Sequence, residues 1–246
     1  MTATLAADAA SLPGERYLSQ RDRSLTERYD AAASAWQRKV DRLGYKDAYA
    51  SMIARGEGFI TATLSRQPLS VLDAGAGTGA FALALLGSLA RATPRIDASV
   101  DLLDPSQAML DEAIRNLASN GHRARGLCQY IQSLAPRLPT YDIVLCSHVI
   151  EHSAMPGREL SILRSVLKPG GVLFLVVSKP SWLTRLLQVR WRHRAFCEPA
   201  ARMLLRDAGF RCAESFSFPK GPPLLTSMGY MAVAPCDSPL MKEATE

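Results

Sequence analysis

Val71-Leu72-Asp73-Ala74-Gly75-Ala76-Gly77-Thr78-Gly79-Ala80 is the stretch that decides how this chain folds. A short apolar run ends in an acid, three glycines follow at alternate positions, and an Ala/Leu-rich segment begins at once. That order predicts a strand, a tight turn and a helix. The glycines carry no Cβ, so the backbone can turn sharply and come within contact distance of a ligand. The helix beyond opens with N–H groups that have no intrahelical partner. Turns of this kind serve several ligands, so the residues downstream must discriminate.

Downstream, strand and helix signals alternate, which predicts a parallel sheet with helices on both faces. A second strand is expected from about Ala98 to Leu103, ending at Asp104, with a helix opening at Pro105-Ser106 and carrying Met109, Leu110, Ala113, Ile114 and Leu117. Strand three is expected over Ala124 to Ile131. Strand four, Tyr141 to Cys146, is continuously apolar after its acid, as a central strand should be. A helix from about Arg158 to Leu167 stops at Lys168-Pro169-Gly170-Gly171, and strand five covers Val172 to Ser178. Phe196, Glu198 and Pro199 start a helix through Ala208-Gly209-Phe210; Arg211 to Phe218 and Tyr230 to Val233 read as a final antiparallel pair.

Upstream, Ser24 and Thr26 are candidate N-caps for a helix whose apolar positions are Tyr29, Ala32, Ala33, Trp36, Val40 and Leu43. A second helical stretch from about Lys46 to Leu64 is interrupted by Arg55-Gly56-Glu57-Gly58. Residues 1–66 therefore read as a tail and helical lid, and 67–246 as the sheet-bearing domain. The chain has 246 residues, 48% of them hydrophobic, enough for one substantial core. Its 29 basic against 23 acidic side chains give a formal charge of +6, compatible with an anionic small-molecule substrate or RNA, and equally with a bland basic surface. Five scattered cysteines, Cys128, Cys146, Cys197, Cys212 and Cys236, include no C-x-x-C pair, which argues against a disulfide framework or zinc knuckle and for a reducing compartment. The N-terminal stretch lacks a basic region and the apolar runs are too short to span a bilayer. A cytoplasmic protein without integral membrane association is expected.

Four motifs carry a resemblance. Val71 to Ala80 resembles motif I of the class I S-adenosylmethionine (SAM) dependent methyltransferases. Asp104-Pro105-Ser106-Gln107-Ala108-Met109-Leu110 is similar to that family's acid-x-Ser-x-x-Met-Leu after strand two. Tyr141-Asp142-Ile143-Val144 resembles its Phe-Asp-x-Val, and Leu167-Lys168-Pro169-Gly170-Gly171 its turn before strand five. All four occur in family order and spacing. The resemblance, which covers about Leu69 to Val233, implies a doubly wound, mostly parallel seven-stranded α/β sheet with an N-terminal helical lid, and SAM as cofactor. It implies that Asp73 and the carbonyls around Gly75 and Gly77 hold the methionine portion, with Gly79 closing the turn. Asp104 is placed for the ribose hydroxyls, and Pro105 and Met109 for the adenine faces. Where relatives place an acid after strand three, this chain offers Gln129. Cys146 and Ser147 should line the sulfonium pocket.

His148-Val149-Ile150-Glu151-His152 formally matches H-x-x-E-H, a zinc pattern in one metallopeptidase group. Some ubiquinone-biosynthesis O-methyltransferases instead show Glu-x-x-Glu-His with a divalent metal, but the first Glu is His148 here, and no metal is expected. His148 or His152 is a candidate general base or positioning group, with Tyr29 as a catalytic companion. Tyr17, Trp182, Arg190 and Arg192 are the substrate-side candidates, the last three within a cap around residues 180–200. The expected function is methyl transfer to a small-molecule N, O, S or C nucleophile. The alternatives are intramolecular cyclisation of SAM with release of methylthioadenosine, tRNA methylation through the Arg-Trp segment, and SAM binding without catalysis.

Overall fold

Strands form where the sequence is apolar toward both faces. In the computed structural model, which describes residues 20–61, 68–92, 97–134, 140–185 and 193–235, β1 (Leu69–Ala74) and β4 (Tyr141–Ser147) are buried along almost their whole length. Only a strand covered on both sides needs that pattern. With β2 (Ala98–Asp104), β3 (Ala124–Cys128), β5 (Leu167–Ser178), β6 (Arg211–Phe216) and β7 (Ser227–Val233) they form one sheet in the order β3-β2-β1-β4-β5-β7-β6. The pairs β3–β2, β2–β1, β1–β4 and β4–β5 are parallel, and β7 runs antiparallel to both β5 and β6. The chain moves outward from β1 in both directions, so the sheet has a switch point between β1 and β4, where open α/β sheets place a ligand crevice.

Two apolar layers hold the helices. On one face α2 (Tyr45–Arg55), α3 (Glu57–Thr61), α4 (Ala80–Ala92) and α5 (Gln107–Ser119) bring Met52, Ile53, Leu85 and Leu110 into one cluster with Ile143, Phe174 and Met231. On the other, α6 (Pro156–Val166) and α7 (Glu198–Asp207) pack Leu160, Leu163 and Leu205 on Val144, Leu175 and Tyr230. The expected sheet, its seven strands and its flanking helices are all present. The N-terminal helices α2 and α3 share the core of the sheet.

Two of the resemblance motifs do structural work. Asp142 is fully buried and its Oδ2 accepts from the Ser70 amide at 3.0 Å and from Lys168 Nζ at 2.8 Å. The carboxylate thus clasps the starts of β1, β4 and β5 together.

Local boundaries differ from the sequence reading where tertiary contacts take over. α1 (Gln20–Arg42) carries Ser24 and Thr26 inside the helix instead of at its cap, and the Thr26 hydroxyl bonds the Tyr130 hydroxyl at 2.9 Å. β3 stops at Cys128, three residues short of Ile131, because Cys128 pairs with Asp104, the last residue of β2. A short helix, α8 (Gly221–Thr226), precedes β7; its double proline occupies first-turn positions, where a missing N–H costs nothing. Among the described residues no helix is long and apolar enough to cross a membrane.

Candidate functional site

The glycine turn at the end of β1 is built to be thin. Gly75 and Gly77 lie in the left-handed region with φ of 75° and 50°. A Cβ on Gly75 would run into Val149 Cγ2, so only glycine fits there. The amides of Gly75 and Ala76 donate to the Leu103 carbonyl at 2.7 and 2.9 Å, which pulls the turn toward β2. Gly77 then donates its own amide to Asp104 Oδ2 at 2.9 Å, and Ser106 donates to Oδ1 at 2.9 Å. Asp73, on the neighbouring strand, accepts from the Ala82 amide in the first turn of α4 at 3.1 Å, where the helix dipole favours a negative charge.

Both acids are nearly sealed from solvent. Burial raises the Asp73 carboxyl to about 7, partly offset by the Ala82 amide and reinforced by Asp104. Burial likewise raises Asp104 to about 6 against the Ser106 and Gly77 amides, with Asp30 adding to the rise. Two carboxylates thus stand at adjacent strand ends beside the switch point, where open α/β sheets bind ligands. Ser106 caps α5 by accepting the Met109 amide, and Met109 is buried beside it.

The seal is α1. One face of this helix reaches the loops that follow four of the five parallel strands, β1 to β4. Gln37 accepts from Thr78 Oγ1 at 2.7 Å in the loop after β1, and Asp30 accepts from Ser106 Oγ at 2.5 Å after β2. Thr26 meets Tyr130 at 2.9 Å after β3, and Tyr29 meets His152 Nε2 at 3.5 Å after β4. Residues 26, 30, 33 and 37 fall on one stripe of a helix, with Ala33 buried between the polar ties. Trp36 Nε1 stands 3.8 Å from where a Cβ on Gly77 would lie.

At the end of β4 a second cluster forms. Tyr49 stacks on Phe81 with centroids 4.4 Å apart and shares a hydrogen bond with Ser147 at 2.8 Å. His148 is the one non-glycine residue with positive φ among the described residues, at 57°, a conformation for which His is less penalised than most. That backbone aims its ring between two partners. Nδ1 is 2.8 Å from Glu151 Oε1, and Nε2 is 3.2 Å from Ser227 Oγ, which also meets the Tyr45 hydroxyl at 2.9 Å. Burial works against the imidazolium, but Tyr45 and the Glu151 carboxylate outweigh it and raise His148 to about 9. Burial likewise opposes ionisation of Glu151, yet His148 holds its pKa below the ordinary value. Glu151 Oε1 also accepts from the hydroxyl and amide of Ser178 at 2.7 and 3.3 Å, whereas Oε2 has no hydrogen-bond partner among the described residues.

His152 lies between Tyr29 and His193, with centroid distances of 6.3 and 5.6 Å. His193 is held there by its own segment, which is tied down by the Arg194 amide on the Glu151 carbonyl at 2.9 Å. Burial pushes the His193 pKa down, opposite to His148. The sequence reading missed His193, Asp30, Ser178 and Ser227, since no local motif marks them. The remaining candidates lie as follows. Cys146 is fully buried with its thiol pKa pushed well up by burial, Pro105 and Gln129 are half-buried, and Trp182 is 70% exposed. Tyr17, Arg190 and Arg192 lie outside the described residues. Among the described residues no three His, Cys, Asp or Glu side chains are grouped so as to hold a metal ion.

A family model described as a methyltransferase domain matches residues 25–215, from inside α1 to β6. The chain belongs to that family. The match takes in most of α1. Malonyl-[acyl-carrier protein] O-methyltransferase of Halalkalibacterium halodurans is 31% identical over 116 residues, 46% of this chain and 41% of that protein. The tRNA U34 carboxymethyltransferase of Aliivibrio salmonicida is 38% identical over 108 residues, 43% of this chain and 31% of that one. The chain therefore spans less than half the length of either relative. Over nearly its full length this chain shares its fold with a Burkholderia thailandensis 1,6-didemethyltoxoflavin-N1-methyltransferase, solved with 1,6-didemethyltoxoflavin and S-adenosylhomocysteine (SAH). The TM-score is 0.65 at 20% identity, covering 96% of this chain and 93% of that one.

Proposed function

We propose that this domain binds SAM beneath α1 and transfers its methyl group to a small-molecule nucleophile. One observation carries the reading: Asp73 and Asp104 lie buried at adjacent strand ends, with Asp104 bonded to the glycine turn. Asp104 is the partner for the ribose hydroxyls, Asp73 with the Gly75 and Gly77 carbonyls for the methionine end, and Pro105 and Met109 for the adenine, with Gln129 at its edge. Cys146 and Ser147 line the sulfonium side. When bound, SAM supplies an electrophilic methyl: the acceptor's lone pair bonds to its carbon as the C–S pair returns to sulfur, leaving SAH.

The chain's own part is to hold and exclude. α1 keeps water from the acids and brings Tyr29 to His152. His148, kept charged by Glu151, orients the turn after β4, and His152 is the group placed to take a proton from the acceptor. Holding the nucleophile in line at near-attack distance supplies most of the acceleration such a reaction needs. Tyr17, Trp182, Arg190 and Arg192 remain the substrate-side candidates, suited to an anionic acceptor.

The test is mass spectrometry of SAM-derived products after incubation with purified protein, with and without a metabolite extract. SAH that accumulates only with extract, and survives ribonuclease treatment of it, supports the reading. SAH that depends on intact RNA points to tRNA, the substrate in the name of one relative. Methylthioadenosine without any acceptor, or no consumption at all, overturns methyl transfer.

A further inference from the structure

Glu151 is a fully buried carboxylate whose two oxygens have unlike surroundings. Oε1 is saturated: His148 Nδ1, the Ser178 hydroxyl and the Ser178 amide all converge on it. Oε2 is equally enclosed and meets no donor among the described residues. An ionised oxygen left bare in a protein interior is strongly disfavoured unless some donor completes it. His148 keeps the group charged, so protonation does not resolve the deficit.

The neighbourhood says what kind of donor is missing. Tyr29, His152 and His193 all feel the Glu151 charge, and the Arg194 amide is anchored on its main chain. His193 Nδ1 is a second buried polar atom in this group without a partner among the described residues. The group lies just past the C-terminal end of β4, beyond Cys146 and Ser147, the side on which the reading above puts the methyl. His148 takes up Oε1 and is held by Ser227 on its other nitrogen, so the cluster leaves Oε2 for a donor from outside it.

We infer that Glu151 Oε2 is the acceptor anchor of this site, taking a hydrogen bond from the N–H or O–H of the atom to be methylated. The acceptor class is then a protic nitrogen or oxygen compound, amines included, and not a carbanion. Fixing that hydrogen on Oε2 turns the nucleophile's lone pair toward the methyl. After transfer the hydrogen, made acidic by the new bond, leaves as a proton through His152 to water. This inference rests on the methyl-transfer reading above.

Sinefungin tests it, because this SAM analogue carries an amine in place of the methylsulfonium and presents N–H donors on the acceptor side. Calorimetry should compare sinefungin with SAH on the wild-type protein and on Glu151→Gln, which keeps the shape and removes the charge. The wild type should bind sinefungin at least about tenfold more tightly than SAH, as one charge-assisted hydrogen bond provides. Glu151→Gln should keep its SAH affinity within about threefold, on the same scale, and lose most of that preference. Equal affinities on the wild type, with Oε2 satisfied by water alone, overturn the inference even if the variant fails to fold. So does a preference unchanged in Glu151→Gln. If neither protein binds SAH, it is the cofactor reading that falls, and this inference with it.

Discussion

Gly77 and Asp104 are joined by a 2.9 Å hydrogen bond from the amide of one to the carboxylate of the other, across two different strand ends. The glycine turn and the acid proposed for the ribose are therefore one unit. Asp104→Ala should lose two backbone bonds and the ribose contacts together. A loss of about 2–4 kcal/mol in SAM binding, roughly 30- to 1000-fold in Kd, is expected from charge-assisted bonds. Calorimetry checks it, and an unchanged Kd would remove Asp104 from the pocket.

Asp73 and Asp104 should make stability and cofactor affinity respond to pH in opposite senses. Their folded pKa values, about 7 and about 6, lie above the ordinary 3.8. A raised folded pKa gives stability that is full below the unfolded value and is lost as pH rises through the folded one. The ligand-free protein should therefore lose this increment between about pH 4 and pH 7. SAM needs both groups ionised, so its affinity should fall as pH drops below about 7, with proton release on binding. Thermal melts of wild type against Asp73→Asn/Asp104→Asn, and calorimetry in buffers of different ionisation enthalpy, measure the two slopes. Parallel slopes would refute the assignment.

Asp142 should matter for the fold and not for the ligand. Asp142→Ala removes the clasp on Ser70 and Lys168. A cost of about 2–3 kcal/mol in denaturant unfolding is expected for a buried carboxylate pair whose lysine is partly exposed. SAH affinity measured well below the unfolding midpoint should be unaltered.

Much of this was legible beforehand. The glycine turn, the strand-end acids and the Lys168-Pro169-Gly170-Gly171 turn are local features, each dictated by a backbone conformation or a strand end. His193 was not legible because its place beside His152 depends on tertiary contacts, among them the Arg194–Glu151 backbone bond. Thr26 misled for a related reason: a cap signal is local, but its hydroxyl is claimed by Tyr130, 104 residues away. The face of α1 carried no motif, since Thr26, Asp30 and Gln37 gain meaning only once four loops converge beneath them.

The helix should close on ligand. Hydrogen exchange across residues 20–42 should slow when SAH is added, and Asp30→Ala with Gln37→Ala should leave it fast while raising the SAH Kd several-fold, as two lost polar ties imply. Unchanged exchange in the presence of saturating SAH would show that the helix does not respond to the pocket.

A wall fastened to four loops at once also imposes a sequence of events. With α1 seated, Asp73 and Asp104 are nearly sealed, so ligand entry should require α1 to lift, and the row from Trp36 through Tyr29 to His152 should re-form when it settles back. Turnover should then be compulsory-ordered: SAM enters first, the acceptor finds its seat only after closure, and SAH departs last. The slowest step would then be a bend of the chain at Gly44, the left-handed residue (φ 79°) between α1 and α2, and not the bond being made.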